Sequence, residues 1–120
     1  MHELSVALSL VEAACERVDA LGDVRIEAVC VRLGPLSGVV KEALSFCFEA
    51  ATQGTRIEGA RLDIEDAPLV AFCPRCSEDR QIASVQHLRC PECGEPTPNI
   101  VQGRELELTA LEIEDCAAHR

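Results

Sequence analysis

The chain has 120 residues, of which 48% are hydrophobic, enough for one domain with a small appendage and too apolar for a disordered tail. Aromatic residues make up only 2% (three Phe, no Trp, no Tyr), so the core must come from Leu, Val, Ala and Ile, and a structural metal would help to hold so thin a core. Eleven basic against 21 acidic residues leave a net charge of -10, which argues against nucleic acids and anionic membranes as partners and favours cationic ligands.

From Leu4 to Leu21 the residues Leu4, Ala7, Leu8, Val11, Ala14, Cys15, Val18 and Leu21 recur at intervals of three and four. They predict an amphipathic helix that stops at Gly22, with Glu3 at its positive end. The same stretch has no basic start, long apolar run or small-residue cleavage site, so it does not read as a signal peptide and a cytoplasmic chain is expected. No apolar run reaches the length of a membrane span. Val24 to Leu33 (VRIEAVCVRL) alternates and then turns continuously apolar, as a strand buried on both faces in its second half would. Gly34-Pro35 ends it. A second helix is expected from about Gly38 to Ala51, with Ser37 as N-cap and Val40, Leu44, Cys47 and Ala51 buried. Ala60 to Asp66 reads as a strand with Leu62 and Ile64 facing the core. Arg104 to Ile113 reads as another, with a change of phase between Leu108 and Leu111.

Between these last two strands, residues 68–100 carry two Cys-x-x-Cys pairs and five of the six prolines, without helical periodicity. This stretch is expected to be a separate module inserted into a discontinuous main domain, residues 1–67 completed by 101–120. The pairs are Cys73/Cys76 in CPRC and Cys90/Cys93 in CPEC, with 13 residues between them. Two such turns joined by a hairpin supply the four-sulfur tetrahedral shell that Zn(II) accepts. Gly94 suits the tight turn after the second pair. Iron in the same shell would make a small electron carrier, but only Phe72 is there to shield it. A redox dithiol would need one pair in a thioredoxin-like setting. Four thiolates leave no open position, so the metal is structural and not catalytic. His87 precedes Cys90 by three residues and is expected on the surface. Cys15, Cys30 and Cys47 read as small core residues, and Cys116 as the one nearest the surface.

The chain begins Met-His-Glu. The Met1 amine, the His2 backbone nitrogen and the His2 imidazole can chelate one ion in fused rings, with the Glu3 amide or side chain as fourth donor. A planar nitrogen set suits Ni(II) or Cu(II) better than Zn(II). A histidine at position 2 is most often simply solvated, so the tripeptide by itself does not decide.

MHELS at the start, RLGPLSGV at Arg32 to Val39, EALSFCFE at Glu42 to Glu49, the two cysteine pairs, and QGRELEL at Gln102 to Leu108 together resemble the HypA/HybF family of hydrogenase nickel-incorporation proteins. The likeness runs through essentially the whole chain in the same order. It implies an α+β fold of two helices on a small three-stranded sheet with an inserted zinc ribbon. It also implies a non-enzymatic metallochaperone delivering Ni(II) for maturation of [NiFe]-hydrogenase, and in some organisms urease. The family's nickel site maps onto Met1, His2 and Glu3, and its zinc ligands onto Cys73, Cys76, Cys90 and Cys93. Some members carry an acidic residue near the start of the second helix, where this chain has Val39-Val40-Lys41, with Glu42 the first carboxylate. The partners implied are the nickel GTPase HypB and the hydrogenase large-subunit precursor. The competing reading is a zinc-ribbon interaction module with no nickel role, whose acidic domain docks a basic partner. An exposed strand edge or Cys116 could support a homodimer.

Overall fold

The computed structural model describes residues 3–115, so Met1, His2 and Cys116 lie outside the described residues. In chain order the elements are α1 (Glu3–Leu21), β1 (Val24–Leu33), α2 (Lys41–Thr52), β2 (Arg61–Asp66), β3 (Val70–Cys73), β4 (Glu78–Gln81), β5 (Asn99–Gln102) and β6 (Leu106–Asp115). The strands form two three-stranded sheets, ordered β2-β1-β6 and β4-β3-β5. The fold is the expected mixed α+β arrangement. Among the described residues two compact units result: 3–31, 39–64 and 108–115 form the first, and 32–38 with 65–107 the second. No described helix is long and apolar enough to cross a membrane.

In the first unit α1 packs on α2, and the core is built from α1, β1 and α2. The face that α1 buries is rotated from the expected stripe. Val6, Ala7, Leu10, Val11, Ala14 and Val18 are buried, whereas Leu4, Leu8 and Leu21 are each about half exposed. The sequence is apolar around more than half of this helix, so period alone allows two adjacent stripes and packing selects one. Strand β1 behaves as its pattern predicts: Val24, Ile26, Ala28, Val29, Val31 and Leu33 are buried, alternating at first and then contiguous. It is the central strand of its sheet. Leu62 and Ile64 on β2 are only half-buried, because β2 is an edge strand.

Helix α2 starts later than expected, at Lys41, and Ser37 does not cap it. The N-cap position is Val40, in extended backbone and with no side-chain cap of its own. Ser37 instead closes a turn, donating its N–H to the Gly34 carbonyl at 3.1 Å. Val40 is exposed and Cys47 and Ala51 half-buried; the buried residues of α2 are Leu44, Phe48 and Thr52.

The second unit has its own small core of Leu69, Ala71 and Ile82, against which Leu36, Leu88 and Ile100 pack. Strand β3 pairs antiparallel with both β4 and β5, with an irregularity in the β5 register between Val70 and Ala71. Gly34 N–H donates to the Glu105 carbonyl at 2.8 Å, and Leu36 N–H to the Gly103 carbonyl at 2.7 Å. The segments RLGPLSG and QGRELEL are thus tied to each other.

Candidate metal centre

The two Cys-x-x-Cys segments fold into equivalent turns. Cys73 ends β3, and the turn through Cys76 leads into β4, with Cys73 opposite Glu78 in the ladder. The N–H of Ser77 donates to the Cys73 carbonyl at 2.8 Å, and that of Gly94 to the Cys90 carbonyl at 2.9 Å. Both closing residues take positive φ, 56° at Ser77 and 78° at Gly94. Gly94 does this at no steric cost; Ser77 shows that the turn itself demands the conformation. The second turn is held further by Cys90 N–H to the Glu95 carbonyl at 2.9 Å and Arg89 Nη1 to the Gly94 carbonyl at 3.0 Å.

The four sulfurs converge. Those of Cys73, Cys76, Cys90 and Cys93 all lie within 4.8 Å of one another, with Cys73–Cys93 at 3.5 Å and Cys76–Cys90 at 3.9 Å. Four sulfurs bound tetrahedrally to one Zn(II) at about 2.3 Å stand about 3.8 Å apart, close to the Cys73–Cys93 and Cys76–Cys90 separations, so this donor set suits such an ion. Cys73 and Cys90 are buried and Cys76 and Cys93 half-buried. The exposed His87 is not part of the group.

The electrostatics of the group also suit a cation. Burial pushes the Cys90 thiol up, but the backbone N–H groups of Cys93 and Glu92 and the neighbouring thiols pull it further down, to about 6. For Cys93 the Glu95 N–H favours the thiolate, yet burial and the Cys73, Cys90 and Cys76 side chains outweigh it and hold the thiol up at about 12. One thiol therefore ionises readily and a neighbour resists, as like charges sharing a site must. A divalent cation removes that conflict.

Of the Met-His-Glu residues, only Glu3 is among the described ones. It opens α1 and is half-buried, and its Oε2 accepts the backbone N–H of Val40 at 3.0 Å. Glu3 therefore lies beside the N-terminus of α2. Glu42 is exposed in the first turn of that helix.

A second group of possible ligands escaped the sequence reading. Cys30 is half-buried at the middle of β1, and its sulfur, an Asp63 oxygen on β2 and a Glu112 oxygen on β6 lie within 4.8 Å of one another. The Cys30 thiol donates to Glu112 Oε2 at 3.8 Å. Arg61 joins the two carboxylates, with Nε 3.1 Å from Asp63 Oδ1 and Nη2 2.9 Å from Glu112 Oε1. Burial first, then the Glu112 and Asp63 charges, push the Cys30 thiol up. The guanidinium bonds both carboxylates and so answers part, though not all, of their charge. Nothing in the spacing of residues 30, 63 and 112 signals it, because only strand pairing brings them together. Cys15 and Cys47 are half-buried rather than fully in the core.

Comparison with known proteins decides the family. The family model described as "Hydrogenase/urease nickel incorporation, metallochaperone, hypA" matches residues 1–113. The chain belongs to the HypA family. Among its relatives in that family, a hydrogenase maturation factor HypA of Roseiflexus sp. (strain RS-1) is 51% identical over 115 residues, covering 96% of this chain and 94% of that one. A HypA of Streptomyces avermitilis is 39% identical over 120 residues, covering 99% and 92%. Among solved structures, the solution structure of the Ni metallochaperone HypA from Helicobacter pylori superposes with a TM-score of 0.64 at 31% identity, covering 94% of this chain and 97% of that one. A second HypA solution structure gives a TM-score of 0.70 at 29% identity, covering 96% and 98%.

Proposed function

We propose that this chain is a cytoplasmic, non-catalytic metallochaperone that binds Ni(II) as cargo and delivers it for maturation of [NiFe]-hydrogenase, and in some hosts urease. The observation that carries this reading is the family match through residues 1–113, which includes both the Met-His-Glu start and the two cysteine pairs. In this reading Cys73, Cys76, Cys90 and Cys93 hold a structural Zn(II). The convergence of their sulfurs supports it, and the completed shell leaves no position for substrate. In this reading residues 68–100 form a zinc-ribbon domain, and residues 1–67 with 101–120 the nickel domain.

Met1, His2 and Glu3 hold the nickel. The amine and imidazole must be neutral to bind, so acidification releases the cargo. Ligands at a chain end also pay an ordering cost on binding, which keeps the site exchangeable, as delivery requires. The partners are the nickel GTPase HypB, and the hydrogenase large-subunit precursor as recipient. The net charge of -10 supports basic docking surfaces on such partners.

The test is a nickel titration of zinc-loaded protein with its Met1 amine free, beside a version with one residue added before Met1 and beside His2→Ala. Stoichiometric binding to the first alone is expected. Equal binding by all three would place nickel elsewhere, and no binding by any would leave a zinc-ribbon docking module.

A further inference from the structure

Strand β1 changes phase once. Val24, Ile26 and Ala28 are buried while Arg25 and Glu27 are exposed, but Val29 is buried directly after Ala28, and from there Val31 and Leu33 take the buried side. The shift turns Cys30 and Arg32 to the less buried face of the sheet. Because β1 is the central strand, Cys30 has a neighbour on each side, Asp63 from β2 and Glu112 from β6. Its sulfur and one oxygen of each carboxylate lie within 4.8 Å of one another. The backbone is fixed at this point, since the Thr109 hydroxyl on β6 donates to the Cys30 carbonyl at 3.2 Å.

This is a poor setting for a packing residue. A thiol that only fills a core gains nothing from two carboxylates, and like charges on neighbouring strands destabilise a sheet. Arg61 bonds both, with Nε 3.1 Å from Asp63 Oδ1 and Nη2 2.9 Å from Glu112 Oε1, but one guanidinium against two carboxylates leaves a negative charge over. The side chains of Asp63, Glu112 and Arg61 are 42%, 50% and 57% exposed, so an ion reaches them from solvent and the guanidinium is free to leave. Arg61 also borders a cavity lined by Glu27 and Glu58, where a displaced guanidinium meets other carboxylates.

We propose that Cys30, Asp63 and Glu112 form a further, exchangeable site for a divalent cation of the Zn(II) type, apart from the four-sulfur group, and that Arg61 keeps its place until the cation displaces it. One thiolate with two carboxylates is a donor set that Zn(II) and Co(II) accept, whereas Mg(II) and Ca(II) require a shell of oxygens. Three protein donors leave the fourth tetrahedral position to water, as in an open zinc site rather than a closed one. On binding, the Cys30 S–H bond, already directed at Glu112 Oε2, breaks, its proton passes to solvent and a sulfur–metal bond forms. Asp63 and Glu112 exchange the guanidinium for the metal. Donors carried on three paired strands need little rearrangement to receive it.

The experiment follows alkylation of Cys30 by iodoacetamide, resolved by mass spectrometry, in protein already loaded with one Zn(II), with and without further Zn(II). The ratio of the two rates is compared among wild type, Asp63→Asn, Glu112→Gln, Glu114→Gln and Arg61→Gln. In wild type, added zinc should slow Cys30 about tenfold once it stands about tenfold above its dissociation constant. Asp63→Asn and Glu112→Gln should lose most of this protection, and Glu114→Gln, the same charge change two residues along β6, should keep it. Arg61→Gln should be protected at a several-fold lower zinc concentration. The dication feels the removed positive charge more strongly than the proton it replaces, so the gain survives the change in thiol basicity. Co(II) added in place of the further zinc should give thiolate–cobalt absorption that Cys30→Ser abolishes. A wild-type Cys30 that zinc does not protect would overturn the site. Equal protection in wild type, Asp63→Asn and Glu112→Gln would mean that the thiol alone holds the ion, which overturns it as well. Weaker protection in Arg61→Gln than in wild type would overturn the displacement of the guanidinium. Because Cys30 is read directly, metal held at the four-sulfur group or at the chain start does not enter the result.

Discussion

The Glu3 carboxylate accepts the backbone N–H of Val40 at 3.0 Å, so the first turn of α1 caps the start of α2 from another part of the chain. In a capping box this acceptor comes from the third residue of the same helix; here it is supplied across 37 positions. A carboxylate at that point also faces the positive end of the α2 dipole.

Glu3 therefore has a structural task distinct from any part in binding nickel. Glu3→Ala should lower stability by about 1 kcal/mol, the usual cost of a lost cap, and Glu3→Gln by less, since the amide oxygen still accepts. Urea unfolding followed by helical circular dichroism measures both. Two unchanged midpoints would show that the contact contributes nothing.

Gly34 sits where a side chain has no room. A Cβ there would run into the Gly103 carbonyl group and come within 2.8 Å of the Glu105 nitrogen, all backbone atoms that cannot swing aside. Gly103 has φ 141°, and its own Cβ would meet Leu69 Cδ1 at 2.9 Å. Gly34→Ala should cost at least about 2 kcal/mol through forced separation of the two backbones. Denaturation midpoints test this. A Gly34→Ala protein as stable as wild type would refute the close approach.

Cys30 is a thiol with a raised pKa, so it should react slowly with iodoacetamide at pH 8. Glu112→Gln removes a negative charge and a hydrogen bond that both favour the protonated form. The pKa falls, the thiolate fraction at pH 8 rises, and alkylation should accelerate several-fold. Arg61→Gln removes the one contribution that lowers it and should act in the opposite sense. Site-resolved mass spectrometry across pH 7 to 10 reads both shifts. The same rate profile in all three proteins would mean that the carboxylates do not govern this thiol.

Zinc uptake by the metal-free protein should be linked to pH with a definite sign. With its value lowered to about 6, Cys90 is already largely ionised at pH 7 and gives up little proton on binding, whereas Cys93, held at about 12, must lose one. Proton release per zinc is then below four at pH 7 and rises as pH falls through 6, where affinity drops more steeply. Calorimetry in buffers of different ionisation enthalpy counts these protons. Cys73→Ser or Cys93→Ser should abolish stoichiometric zinc and unfold the ribbon while helical circular dichroism persists, because both helices belong to the other unit. A Cys73→Ser protein with full zinc and a native ribbon spectrum would exclude that ligand.

Much of this molecule is written locally in its chain. Helix α1, strand β1 and the positions of the cysteine turns follow from spacings of two, three and four residues, which set side-chain direction before any tertiary contact exists. The approach of Cys73/Cys76 to Cys90/Cys93 was legible for the same reason, since two short turns and a hairpin leave the four sulfurs few other arrangements. The family resemblance gathered its motifs in order. What spacing could not reveal lies between segments far apart in sequence. The buried stripe of α1, Glu3 standing in for Ser37 as the cap of α2, the Cys30–Asp63–Glu112 group and the Gly34–Gly103 approach each depend on which strand or helix comes alongside. A local pattern specifies the conformation of a segment and the faces it can bury. Only packing against the rest of the chain selects the face and gives a polar side chain its partner, because those energies come from contacts that exist only in the folded state.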